Sequence, residues 1–230
     1  MTSLNPTRRE LLAHWLPAAA VGLWQWAADP IALLAMGAQS LPDGVHRAEG
    51  DVKINDQPVR AGAPVASGDT VSTGKDSHAV VVLNRAAYLV REQTRLVVTV
   101  NEKGSTVRAA IRVFSGRLLS VFGGGLNRIT TQTAVIGIRG SGLYVAVERQ
   151  RTYACTCYGE ALIQTTDDAA IGETVRTRHH EAPRYVYGPE HPIRIAPAPV
   201  VDHTDAELIM LEAVVGRQPP FVGASNTYKY

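Results

Sequence analysis

The chain has 230 residues and a formal net charge of +2 at pH 7, from 23 Lys and Arg against 21 Asp and Glu. That balance, without a basic cluster, excludes a nucleic-acid binder held by phosphate electrostatics and gives no pull toward an anionic membrane surface. Hydrophobic residues make up 45% of the chain and charged residues 19%, enough apolar material for a sizeable core.

The N-terminus reads as an address. Thr7-Arg8-Arg9-Glu10-Leu11-Leu12 fits the twin-arginine export pattern of a small hydroxyl residue, two arginines, any residue and two apolar ones. Apolar stretches follow over residues 11–28 and 31–38. His14, Pro17 and the Asp29-Pro30 break interrupt them, and a membrane-spanning helix needs about 20 apolar residues in a row. Residues 1–42 are therefore expected to be a signal segment, with Ala35, Gly37 or Ala38 near its cleavage point. An uncleaved segment would serve as a membrane anchor, the only membrane contact expected. Twin-arginine substrates cross the membrane already folded, so a metal or cofactor can be loaded in the cytoplasm.

Residues 43–166 read as strands. Residues 45–54 alternate with period two, and Asn55-Asp56 make a turn because both tolerate the left-handed region. Residues 78–83 form a strand apolar on both faces, which calls for cover on both. Further strands are expected at 87–90, 95–100, 106–114, 117–121, 127–133, 143–148, 152–158 and 160–165. Twenty glycines and thirteen prolines against three phenylalanines agree with many turns. Residues 167–200 are a polar extension with prolines and histidines and a short strand near 184–187. Residues 201–217 hold a helix. Thr204 and Glu207 have the spacing of a capping box, and Leu208, Leu211, Val214 and Val215 share one face at helical spacing. Gly216 and Pro219-Pro220 end it, and residues 218–230 are a tail.

Two stretches carry candidate chemistry. In Tyr153-Ala154-Cys155-Thr156-Cys157-Tyr158-Gly159, residues two apart on a strand point to one face about 6.6 Å apart. A disulfide wants Cβ atoms within roughly 3.5–4.5 Å, so bridging would need a bent strand. The thiols side by side could instead hold a soft metal ion with further ligands. His179 and His180 are the leading candidates, with His191 and His203 also downstream. Adjacent residues diverge in a strand, so only one of His179 and His180 is expected to join a given site. No standard zinc spacing is present. Free or bridged structural thiols and a redox or attachment role stay open beside the metal.

The second stretch is Thr130-Thr131-Gln132-Thr133-Ala134-Val135-Ile136-Gly137-Ile138-Arg139-Gly140-Ser141-Gly142-Leu143-Tyr144-Val145. β-Branched residues favour a buried strand, and the glycines mark a bend or bulge. Arg139 is either a solvated bend residue or a buried fork of donors serving several carbonyls. This stretch resembles the signature of the FecR family domain, with Ser141 where a threonine is usual. The earlier run of Gly62, Gly68-Asp69 and Thr73-Gly74 before an apolar strand resembles the start of that domain. The likeness covers roughly residues 45–164. The Cys-x-Cys strand and the ending Asp-His-Thr-Asp-Ala-Glu-Leu resemble a proteobacterial subgroup of the family.

The resemblance implies an extracytoplasmic, all-β sensing or binding module that meets an envelope protein or cell-envelope ligand. Only about ten residues precede the apolar stretch, so the cytoplasmic anti-sigma segment of the best-known members is not expected, nor is direct sigma-factor regulation. The expected fold is all-β, a short-stranded β-solenoid or sandwich with a C-terminal α-helix packed on it. No Gly-x-Ser-x-Gly, phosphate loop or His-Glu-x-x-His occurs, so no enzyme is expected. The functional expectation is a non-enzymatic periplasmic sensing, binding or adaptor module in signal transduction. The alternative is a periplasmic metal-binding protein using Cys155, Cys157 and a downstream histidine.

Overall fold

The computed structural model describes residues 40–100 and 106–223. The export reading of Arg8 and Arg9, and most of the signal segment, lie outside the described residues. So does the end of the tail.

Among the described residues, fourteen strands and one helix follow in chain order: β1 (Gly44–Glu49), β2 (Val52–Ile54), β3 (Gln57–Pro58), β4 (Thr70–Thr73), β5 (His78–Leu83), β6 (Ala86–Val90), β7 (Arg95–Val100), β8 (Val107–Val121), β9 (Leu126–Thr130), β10 (Ala134–Val147), β11 (Arg151–Thr165), β12 (Gly172–Thr177), β13 (Arg184–Tyr187), β14 (Ile195–Pro197) and α1 (Asp205–Val214). The strands form one open sheet running β14-β13-β11-β10-β9-β8-β7-β4-β2-β3, with β1, β5, β6 and β12 branching from that path. The fold is all-β with one short C-terminal helix, as the sequence suggests. Among the described strands only β8 and β9 pair parallel, whereas a solenoid would stack its turns in parallel. The sheet instead bends round a shared interior.

The strands are not uniformly short. β8, β10 and β11 run 15, 14 and 15 residues, and the separate strands read at 106–114 and 117–121 are one. Gly116 makes that continuity: at φ +83 it bends β8 without ending it. An added Cβ would stand 2.4 Å from the Thr94 Cα, so only glycine fits. The first half of β8 pairs with β7 and β9, and the second with β6 and β10. Gly159 (φ +90) does the same for β11, where a Cβ would meet Ser141 at 2.8 Å. β11 pairs with β12 over residues 159–164 and with β13 over 151–154.

Two apolar clusters result. The inner one draws on strands from β1 to β13, including Val45, Val71, Val81, Leu96, Ile111, Ile129, Ile136, Val145, Ile163 and Val186. None of its buried members comes from α1. The outer cluster lies on the opposite sheet face, where Leu208, Leu211, Val214 and Val215 cover Val80, Val82, Ala87, Leu89, Leu119 and Val121. Burying each large aliphatic side chain there contributes about 1.5–3 kcal/mol. The helix starts as its sequence dictates: Thr204 is the N-cap, and its hydroxyl and the Glu207 carboxylate form the reciprocal capping box.

Candidate metal centre

The outer cluster differs from the inner one in holding thiols. Cys155 and Cys157 sit at the end of the helix-covered face, both free and fully buried. They occupy the part of β11 between the stretch paired with β12 and the stretch paired with β13. The β12–β13 loop crosses that gap. The His180 N–H donates to the Cys157 carbonyl at 2.9 Å, and the Thr177 hydroxyl to the Thr156 carbonyl at 2.7 Å. His180 is held at φ +53, a left-handed conformation that a non-glycine residue adopts at some cost and that recurs at functional sites.

A third segment closes the site. After β14 the chain returns over β11, with the Tyr153 hydroxyl donating to the Pro199 carbonyl at 2.9 Å. His203, one residue before the helix N-cap, then turns inward and stacks on Tyr144 with ring centroids 4.6 Å apart. The outcome is a buried Cys155, Cys157, His180, His203 set whose four ligand atoms all lie within 4.8 Å of one another. Tetrahedral zinc, with bonds of about 2.0–2.3 Å, spaces its ligand atoms about 3.3–3.8 Å apart. Cys155 Sγ to His180 Nδ1 is 3.5 Å. His180 Nδ1 to His203 Nε2 is 2.9 Å, a few tenths of an ångström tighter than the metal geometry.

The outer nitrogens settle what the inner ones offer. His203 Nδ1 lies 2.6 Å from the Val201 carbonyl, an acceptor only, so this nitrogen carries the proton. His180 Nε2 lies 3.2 Å from the Asp205 carboxylate and donates likewise. That leaves two lone pairs, His180 Nδ1 and His203 Nε2, facing each other beside two sulfurs. Neutral rings cannot hydrogen-bond in that arrangement; either an extra proton or a cation must lie between them. Carbonyl and carboxylate acceptors behind histidines are the usual supports of metal-ligating imidazoles.

Electrostatics agree with this donor set. Cys155 is brought down to about 4: the Cys157 thiol donates to it, and His180 and His203 add to that against the opposing effect of burial. Burial pushes Cys157 well up, helped by the adjacent Cys155 sulfur. His180 is raised: burial opposes its charge, but the Cys155 sulfur and the Asp205 carboxylate favour it more. Both directions favour negative charge on the Cys155 sulfur and positive charge beside it. Metal binding replaces such protons.

Of the residues singled out from sequence, Cys155, Cys157 and His180 converge. His179 faces the other way, with Nε2 2.8 and 2.9 Å from the two Asp205 oxygens. The geometry therefore takes His203 as the second imidazole in place of His179. His191 stacks on Tyr187, with centroids 4.0 Å apart, away from the thiols. Asp205, which supports both His179 and His180, lies in the Asp-His-Thr-Asp-Ala-Glu-Leu ending, but nothing in that motif gives it a role. Arg139 and Gly140 are exposed at the irregular β10–β11 pairing, so Arg139 is the solvated bend residue of the two readings. Ser141 is fully buried and donates to the Glu160 carbonyl at 3.0 Å. These three shape a bend away from the thiols' ligand set.

Cys155, His180 and Asp205 also have the order of nucleophile, base and orienting carboxylate. Cys155 is 0% exposed, and the nitrogen that would take its proton is already held against His203. A closed ligand set describes the group better than a substrate-facing one.

No protein-family model matches the sequence, and no curated protein matches it. Two crystal structures of a "putative anti-sigma factor" from Parabacteroides distasonis ATCC 8503 resemble part of the fold. They share 12% sequence identity with this chain, with TM-scores of 0.45 and 0.46, over 56% of this chain and 58% of that one. The chain thus matches under two thirds of that protein's length, and a likeness of this depth carries no functional assignment.

Proposed function

We propose that this protein is a metal-binding β module of the cell envelope, holding one zinc-type ion through Cys155, Cys157, His180 and His203. The observation that carries the reading is the pair of imidazole lone pairs facing each other beside two thiols, each ring fixed from behind by an acceptor. Two sulfurs and two nitrogens in a compact buried group suit tetrahedral zinc. Four protein ligands leave no open position for a reacting water, so the centre is structural or sensory and the protein non-enzymatic.

The twin-arginine pattern at Arg8 and Arg9 supports export of a chain that folds, and takes up its metal, before it crosses the membrane. The FecR-like signature supports a sensing or adaptor role toward an envelope protein or ligand. In this reading the metal is part of what is sensed.

Elemental analysis of protein purified under reducing conditions tests the metal reading. One metal ion per chain is expected, and none in the Cys155→Ser/Cys157→Ser variant. Wild-type protein with reduced thiols and no stoichiometric metal would refute it. For the export reading, Arg8→Lys/Arg9→Lys is expected to hold the protein in the cytoplasm; undiminished periplasmic delivery would contradict it.

A further inference from the structure

We infer that the metal is a latch: its occupancy decides whether α1 stays docked on the outer face of the sheet. The inference rests on the metal reading above and adds to it what the ion controls.

The ligands come from three pieces of chain with different anchoring. Cys155 and Cys157 belong to β11, inside the sheet. His180 is fastened to β11 through its own N–H on the Cys157 carbonyl. His203 belongs to the segment leading into α1, and its outer nitrogen binds Val201 of that same segment, so that bond ties nothing to the sheet. The Tyr153 hydroxyl of β11 holds the start of this segment, through the Pro199 carbonyl and the Val201 N–H; at the helix end the inward-facing nitrogen of His203 joins it to the site, and its partner there is either the ion or a shared proton. Asp205, in the first turn of α1, adds a further connection by accepting from both His179 and His180, beside the Arg91–Glu207 ion pair and the Tyr158 hydroxyl on Glu212. The ion would thus fix the ring that precedes the N-cap and, through His180, the carboxylate that follows it.

The helix is suited to such control. At ten residues it is too short to persist in water without packing, so undocking and melting would be one event. The β body does not depend on it, because the buried inner cluster contains no residue of α1. What undocking would bare is an apolar surface made by Val80, Val82, Leu89, Leu119 and Val121. Contiguous apolar surface of that kind is where proteins meet partners. Loss of metal would be converted into exposure of a sheet face, a local event with a large change in surface.

Hydrogen exchange read by mass spectrometry, on the full chain with stoichiometric zinc and again after removal by an EDTA-class chelator under reductant, tests the latch. Amides of α1 are expected to lose protection at least about tenfold on chelation and to regain it when zinc chloride is restored, while β7 and the first half of β8 stay protected. Zinc that binds one to one yet leaves helix protection unchanged would overturn the latch and leave the metal centre standing. Failure to bind zinc at all would overturn both. Equal loss of protection in β7, β8 and α1 would also overturn it, since the metal would then support the whole fold.

Coupling between two sites is reciprocal, which supplies an independent arm. Leu208→Ala removes no ligand but weakens helix docking. It is expected to lower zinc affinity about tenfold at unchanged stoichiometry, and unchanged affinity would overturn the latch.

Discussion

The two apolar clusters share a sheet and differ in what they bury. Apart from Tyr88, the inner cluster is aliphatic, alanine and phenylalanine side chains from nearly every long strand. The outer cluster, under α1, holds Cys155, Cys157, Tyr144, Tyr153 and Tyr158, with His180 and His203 at its margin. Burying titratable groups is costly unless they are paired, so a cluster that gathers thiols and imidazoles does more than fill space. The inner cluster draws on nearly every strand; the outer one gathers titratable groups on the opposite face.

That contrast can be broken at either cluster. The largest effect is expected beside the inner one, at the β8 bend between its members Val113 and Leu118. Gly116→Ala places a Cβ against the Thr94 backbone at a left-handed residue, and should cost about 3 kcal/mol or more, seen as a lower denaturation midpoint. An unchanged midpoint would mean that β8 can bend elsewhere.

At the outer cluster the two adjacent histidines should separate. His180→Ala removes a ligand and is expected to weaken metal binding by more than about 100-fold, beyond the usual effect of a supporting residue. His179→Ala removes only a partner of Asp205 and should weaken it about tenfold, with the metal still one per chain. Equal effects in a competition titration would contradict the assignment of inner and outer roles. Thr204→Ala should be smallest, about 1 kcal/mol for the lost cap, read by thermal unfolding with the metal retained. A larger loss accompanied by metal release would show that cap and centre cannot be separated.

How much of this was legible in the sequence follows the same division. β5, β7 and β13 have the bounds read from apolar patterning and turn residues, because local patterning decides them. The capping box between Thr204 and Glu207 is local too, and it is present. The joining of strands through Gly116 and Gly159 was not legible. A glycine in a strand marks a bend or an end equally well, and only the neighbours β6, β10, β12 and β13 show that pairing resumes beyond it.

The same limit governs the site. Sequence placed both thiols on one face and allowed only one of two adjacent histidines. Which one depends on how the β12–β13 loop crosses β11, set by the His180 N–H to the Cys157 carbonyl. His203 could be named as a candidate but not chosen. Asp205 became visible only when the helix start was seen to fall beside His179 and His180.

X-ray absorption at the edge of the bound metal reads the centre itself. The expected first shell has two sulfurs at about 2.3 Å and two imidazole nitrogens at about 2.0–2.1 Å, with the sulfurs absent in Cys155→Ser/Cys157→Ser. A shell of oxygen and nitrogen alone in the wild-type protein with reduced thiols would contradict a Cys155, Cys157, His180, His203 centre.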